Sequence, residues 1–378
     1  MPWTNTTVMD QREAFISKAL AAGANIRSLC REYEISPTTA YKWLRRYRDR
    51  GTMALADISR RPRHSPKQTP SELEAAVLSL RRTHPAWGAR KIAASLRRQG
   101  LTPPAASTIT RLLHREGLID LSESHKHQAW KRFEHPHPND LWQMDFKGDV
   151  VMGDRRCHPL TVLDDHSRFN LGLVACENQQ ATTVRAALTA IFRSYGLPTR
   201  MTMDNGSPWG NTFEHPYTIL TVWLMRLGIE VSHSRPYHPQ TQGKDERFHR
   251  TLKAELLSRI TLVDLEDAQA RFDRWRHIYN MERPHEALAM QVPAYRYRRS
   301  ERLFPETLPP IEYPAGAAVR AVQQGGSFFF EGRIGYVSKA FARWKIALLP
   351  TDLDGVWEAY FCHHKIAIIN LHELPRSS

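Results

Sequence analysis

The sequence predicts three kinds of domain in series: an all-α tandem helix-turn-helix front, an α/β core with a mixed sheet, and a small β-barrel at the end. Three observations predict it. The positive charge is lopsided: residues 1–138 hold 24 Lys and Arg against 12 Asp and Glu, a net of +12, while residues 139–378 hold 29 against 27, a net of only +2. Apolar spacing is helical through the front and becomes strand-like after residue 139. Residues 318–378 then break into short strands punctuated by Gly-Gly, Glu-Gly and Asp-Gly pairs.

The overall charge of +14 points to a polyanionic partner. Its concentration at one end fits a nucleic-acid-binding front better than a general solubility device. Four scattered cysteines, Cys30, Cys157, Cys176 and Cys362, include no CxxC pair. That argues against a disulfide framework or a thiolate zinc site and suits a reducing cytoplasm. The His-x-His pairs between His125 and His137 have polar, Pro-rich flanks and read as a solvated linker. No run approaches the ~20 apolar residues of a membrane span, and the N-terminus has no apolar signal-peptide core. The expectation is a soluble cytoplasmic protein with no membrane partner.

The front opens with the amphipathic "DQREAFISKALAAG" and continues as "NIRSLCREYEISPTTAYKWLRRYRDRG". Ser36 is placed to cap a helix with Pro37 at its first position. Leu29, Cys30, Tyr33, Ile35, Ala40 and Leu44 supply a small core. Thr38, Thr39, Lys42, Arg45 and Arg46 are left outward, small polar residues first and basic ones behind, as on a helix that enters a DNA major groove. The bland alternative is a three-helix bundle with a solvated basic face. After the connector "RRPRHSPKQ", a second unit of the same size follows. It opens on an expected capping box of Thr69, Pro70 and Glu72, and continues through "WGARKIAASLRRQG" and "PPAASTITRLLHREG", each ended by glycine. Arg90 and Lys91 lie among its basic outer residues and are candidate DNA contacts. These readings divide the chain into helix-turn-helix units at 1–60 and 61–121, a linker at 122–138, a core at 139–300, a linker at 301–317 and the barrel at 318–378.

Within the core, "DLWQMDFKGDVVM" and "CHPLTVLDDHSRFNLGLVAC" read as a meander of strands, followed by alternating helices and strands. Asp145 lies on the first strand, and Asp204 ends a strand at "MTMDNGSPWG". Asp149 has the same strand phase as Asp145, but the Trp-x-x-Asp context favours Asp145. Asp164 and Asp165 read as turn-forming, and Trp142 and Trp209 as packing residues. In "GKDERFHRTLKAEL", Phe248, Leu252 and Leu256 share one helix face, while Glu246, Arg250 and Lys253 share another. Asp245 is rotated about 100° from Glu246. Three converging carboxylates repel unless cations lie between them, and oxygen ligands select Mg²⁺ or Mn²⁺. Two such ions would support in-line phosphoryl transfer. Lys244, Arg250 and Lys253 would then hold DNA phosphates nearby. The run "AYRYRRSER" reads equally as a DNA-tracking strip or a solvated linker.

Together "DLWQMDFKG", "LDDHSRF", "TMDNGSPWG" and "HPQTQGKDERFHRTLK" resemble the catalytic core of bacterial insertion-sequence transposases of the DDE class, which share the retroviral integrase core. The resemblance extends over nearly the whole chain. It implies an RNase-H-like core with Asp145, Asp204 and Glu246 as a catalytic, metal-binding triad. It also implies cleavage at terminal inverted repeats, strand transfer into double-stranded target DNA, at least a homodimer, and a bacterial cytoplasmic, nucleoid-associated setting. No small-molecule substrate is expected. Two departures stand out: 41 residues separate Asp204 from Glu246, and no His/His/Cys/Cys zinc domain precedes the core. A transposase-derived DNA-binding regulator and an RNase-H-type nuclease are the alternatives. The three acids present argue against the first, and the double helix-turn-helix front against the second.

Overall fold

The computed structural model describes residues 7–57, 68–119, 134–210, 217–233 and 243–376. The Arg-rich connector at 60–67, the linker histidines before residue 134 and the glutamine-rich loop at 234–242 lie outside the described residues. The chain divides into two compact units, Met1–Gln68 and Thr69–Ser378. No described helix is long and apolar enough to cross a membrane. All four cysteines are free.

The first unit is three helices, α1 (Val8–Leu20), α2 (Ile26–Glu32) and α3 (Pro37–Arg50). Ser36 caps α3 as expected, its Oγ accepting from the Thr39 N–H at 3.2 Å, with Pro37 in the first turn. Phe15, Ile16, Cys30, Ala40, Leu44 and Leu55 close around Trp43, a core residue the sequence reading left out.

The second unit begins with α4 (Ser71–Thr83), α5 (Ala89–Arg98) and α6 (Ala106–Arg115), packed around Val77, Trp87, Ile92, Leu96, Ile109 and Leu113. The expected capping box at Thr69 does not form. The helix starts at Ser71 with Pro70 in the cap position, where a proline has no side-chain acceptor to offer. The glycine stops do form: Gly100 sits at φ +81°, and the Leu101 N–H reaches back to the Leu96 carbonyl at 3.0 Å.

The core follows as β1 (Leu141–Phe146), β2 (Val150–Met152), β3 (Arg155–Asp164), β4 (Asn170–Cys176), α7 (Ala181–Tyr195), β5 (Arg200–Met203), α8 (Ile219–Arg226), β6 (Glu230–His233), α9 (Gly243–Leu252) and α10 (Leu265–His277). β3 pairs antiparallel with β1, β2 and β4, and β1, β5 and β6 run parallel, giving the mixed sheet that was expected. Strand alternation divides the sheet's two faces. Trp142, Met144, Leu160 and Val162 face α7 and α8, in one cluster with Leu188, Phe192 and Trp223. Cys157, Leu163 and Leu173 face the opposite way, against Phe248 and Leu252 of α9 and Phe272 of α10. Trp142 and Trp209 are buried packing residues, as read from the sequence.

The run "AYRYRRSER" is neither a free strip nor a solvated linker. Tyr297 is buried and stacks on Phe169 at 4.4 Å, and the Arg302 guanidinium donates to the carbonyls of Pro198, Leu227 and Gly228. Beyond it come β7 (Ala318–Ala321), β8 (Ser327–Phe330), β9 (Arg333–Tyr336), β10 (Lys345–Pro350), β11 (Val356–Phe361) and β12 (His364–Asn370). The expected barrel does not close among the described residues. β12, β11, β10 and β7 form one antiparallel sheet, while β8 and β9 pair only with each other. A tight turn through Glu331 and Gly332, both at positive φ, folds that hairpin on itself, and one bridge, Arg333 to Arg376, links it onward. The domain's core instead closes on Val222 and Met225 of α8.

Candidate active site

Asp145 and Asp204 stand at the carboxyl ends of β1 and β5, neighbouring parallel strands whose register pairs Gln143 with Thr202. This end of an open α/β sheet is where ligands bind. The Asp145 side chain is 26% exposed, and one oxygen accepts the Phe146 N–H at 2.8 Å. Burial, and then the charge of Asp204, push its carboxyl up to about 6. Asp204 Oδ1 accepts the Gly206 N–H at 3.0 Å. A Cβ on Gly206 would come within 3.2 Å of that carboxylate, so glycine lets the loop fold tightly over it.

His249 of α9 lies beside this pair. Its Nε2 is 2.9 Å from Thr161 Oγ1, and its Nδ1 is 3.9 Å from Asp145 Oδ2. Burial, with Lys147 nearby, lowers its pKa to about 4, so the ring is neutral at neutral pH. It is a neutral neighbour of Asp145, hydrogen-bonded to Thr161, rather than a counter-charge.

Helix α9 buries Asp245 and exposes Glu246. Phe248 and Leu252 anchor it to the sheet, and Asp245 shares their face at i−3 from Phe248, with 1% exposure. Glu246, Arg250 and Lys253 are exposed. Among the described residues, neither carboxylate oxygen of Asp245 has a hydrogen-bond partner. Burial raises its pKa well above the usual carboxylate range, and Asp145 and then Asp165 add to the effect. Asp165 is itself committed, accepting from the His135 N–H at 2.9 Å, Gln143 Nε2 at 2.8 Å and the Lys244 ammonium.

Two of the expected triad are thus brought together, Asp145 with Asp204, and Asp145 is joined by Asp245. Among the described residues no three His, Cys, Asp or Glu side chains are gathered to hold one ion, so Glu246 is not drawn in with the two aspartates in this conformation. Asp149 instead pairs with Arg156 across the β2–β3 turn. Asp164 shapes its turn as expected, accepting from the Asn139 and Ser167 N–H groups. Sequence reasoning passed over Asp245 and His249. The phase of Asp245 with Phe248 and Leu252 was the available signal.

The candidate DNA contacts divide as well. Thr38, Lys42 and Arg45 are exposed on α3. The Thr39 hydroxyl bonds Ser36 Oγ at 2.9 Å, and Arg46 lies over the Trp43 ring at 4.9 Å. Lys244 faces inward: it is ion-paired with buried Asp165 and its side chain is only 17% exposed. On α5, Arg90 pairs with Glu286 at 2.6 Å, and Lys91 is packed beside Glu255 with its pKa lowered to about 8 by burial. These two hold α5 against the core instead of an open face. On α6, Ser107, Thr110, Arg111 and His114 are exposed, as are Arg97 and Arg98 at the end of α5.

Fold and site define an integrase-type core behind helix-turn-helix domains. Residues 135–239 and 227–293 match integrase core domain families, 11–63 a helix-turn-helix domain, 39–113 a homeodomain-like domain, and 317–375 the C-terminal domain of IS481 family transposases. The chain is 28% identical over 272 residues to an uncharacterized protein of insertion element IS476 from Xanthomonas euvesicatoria, covering 68% of this chain and 76% of that one. It is 26% identical to an uncharacterized protein of insertion element IS407 from Burkholderia multivorans, covering 65% of this chain and 89% of that one. Among solved structures, the simian T-cell lymphotropic virus intasome is similar at 14% identity and a TM-score of 0.38, over 80% of this chain and 99% of that chain. The HTLV-2 integrase catalytic core domain in complex with magnesium is similar at 13% identity and a TM-score of 0.34, over 43% of this chain and 99% of that chain. The chain carries an integrase core domain, helix-turn-helix domains and an IS481-type transposase C-terminal domain, and it is homologous to insertion-element proteins.

Proposed function

We propose that this protein binds the terminal inverted repeats of an insertion sequence, cleaves the DNA at the element's ends and joins the freed 3′ ends to target DNA. The observation that carries the reading is the pairing of Asp145 and Asp204 at the ends of adjacent parallel strands, where the charge of Asp204 acts on Asp145. An all-oxygen donor set under mutual repulsion suits a hard divalent cation. Asp145, Asp204 and Glu246 would hold Mg²⁺ or Mn²⁺. Two such ions supply an activated nucleophile and a stabilised leaving oxygen.

The chain's own residues do the rest. Thr38, Lys42 and Arg45 on α3 read the major groove, with Thr39 fixing that helix's first turn and Arg46 packed over Trp43. Exposed Arg250 and Lys253, on the Glu246 side of α9, hold the phosphate backbone at the scissile position. Both the cut and the joining are phosphoryl transfers to an oxygen nucleophile, first water and then the 3′-hydroxyl, so no serine or tyrosine intermediate is required. Two ends must meet, so the working form is at least a dimer.

The test uses purified protein, duplexes carrying the inverted repeats that flank the gene, and a plasmid target. Joined products are expected with Mg²⁺ or Mn²⁺ and are expected to vanish with Glu246→Gln. Specific binding with no cleavage under either ion would point to a regulator. Joining that survives Glu246→Gln would remove Glu246 from the triad.

A further inference from the structure

Resting on the reading above, we propose that Asp245 is a fourth carboxylate of the metal centre, and would help hold the ion beside Asp145, Asp204 and Glu246. The first argument is helix phase. Asp245, Phe248 and Leu252 share one face, and the two apolar anchors are buried to 1% or less, so the helix cannot turn Asp245 outward without unpacking itself.

The second argument is satisfaction. Among the described residues, both oxygens of Asp245 lack a hydrogen-bond partner, and so does the buried Oε1 of Gln143. Gln143 lies on the same face of β1 as Asp145, and its Nε2 is already held by Asp165. Buried acceptors are almost always matched by a donor or a cation. The charged groups acting on Asp245 are Asp145 and Asp165, both repulsive, and Lys244. The Lys244 ammonium is bound to Asp165. Unmatched buried oxygens near an acidic pair are what a divalent ion completes. A carboxyl serving only the fold would be expected to have found its own donors, as Asp164 does in accepting Asn139 and Ser167.

The experiment measures metal binding directly, without DNA, on the full chain. Mn²⁺ titrations by calorimetry, with thermal melts in Mn²⁺ and in chelator, would compare wild type, Asp245→Asn and Asp245→Val. Asp245→Asn is expected to weaken Mn²⁺ by at least about tenfold, of the order seen when a metal centre loses a supporting group. It should also shrink the Mn²⁺-induced rise in Tm and melt no lower than wild type in chelator. If Asp245→Asn does not fold, Asp245→Val decides by the same readouts. Mn²⁺ affinity within about twofold of wild type in either folded variant overturns the proposal and leaves Asp245 a neutral packing group. Failure of the wild type to join DNA would instead overturn the transposase reading, since the Mn²⁺ comparison does not depend on it.

Discussion

The two faces of the central sheet are built from the same strands and follow different rules. Toward α7 and α8, Trp142, Met144, Leu160 and Val162 make a wholly apolar layer. Toward α9, Gln143, Asp145 and Thr161 share the face with the apolar Cys157, Leu163 and Leu173, and the helix that covers them carries Asp245 and His249. The first face supplies stability. The second gives some of it up, holding unmatched oxygens and like charges at close range. Neighbours on β1 therefore allow the contrast to be tested one residue at a time.

The largest effect is expected from Asp145→Asn, with a loss of joining of about a thousandfold or more, because a ligand to the reacting centre is removed. The fold should survive, with Tm in chelator unchanged or higher. Met144→Ala, one residue away on the other face, should do the reverse. Removing a fully buried Met costs about 2–5 kcal/mol, seen as a lower Tm and denaturation midpoint, while activity per folded molecule stays close to normal. If Met144→Ala lost activity with little loss of stability, the division of labour between faces would be wrong.

Lys244→Met comes next. Breaking a buried pair by removing one partner costs about 3–5 kcal/mol, because Asp165 would be left charged and buried. The sequence reading gave Lys244 a phosphate instead. In that case stability would hold, and the salt dependence of DNA binding would weaken by about one unit of slope. Chemical denaturation and a salt titration of duplex binding separate the two.

These cases show what a sequence makes legible. Asp145 and Asp204 could be read because strand ends and turns are local features, and α9 because its 3.6-residue phase put Phe248, Leu252 and Leu256 on one side. Asp245 was missed because an acid in a helix's first turn already has a local explanation, the helix dipole. Arg90 and Lys91 looked like DNA contacts because a basic side chain on a helix does not announce its partner. Here the partners, Glu286 and Glu255, lie far along the chain. The barrel failed for a related reason. Short strands and turn pairs specify hairpins, but whether a sheet closes depends on edge pairings set by the packing against α8.

A pH profile gives a smaller effect with a definite sign. The folded-state pKa of Asp145, about 6, lies above its unfolded value of about 3.9. The folded protein therefore binds that proton more tightly, and the group's contribution to stability is present at low pH and lost as pH rises toward 6. In chelator, the stability of Asp145→Asn relative to wild type should grow by about 1 kcal/mol between pH 5 and pH 7 and then level off. A difference that stays flat over that window would mean Asp204 and burial do not act on Asp145 as described.

The smallest change belongs to Thr161→Val. Its hydroxyl joins the Asp145 carbonyl, 2.9 Å away, to His249 Nε2 at the same distance, so it ties β1 and β3 to α9 on the polar face. Valine keeps the shape and removes the link, leaving two buried groups short of a partner at a cost of about 1 kcal/mol. Stability alone would not distinguish this from any lost hydrogen bond. The separate readout is the His249 ring, which is neutral and held through Nε2 by Thr161. Without Thr161 the ring is free to turn, and NMR of the imidazole should show its Nε2 losing a hydrogen bond. Joining should fall several-fold, by more than the folded fraction explains, because the ring bounds the site next to Asp145. If joining tracks the folded fraction alone, His249 is packing, and the polar face narrows to its carboxylates.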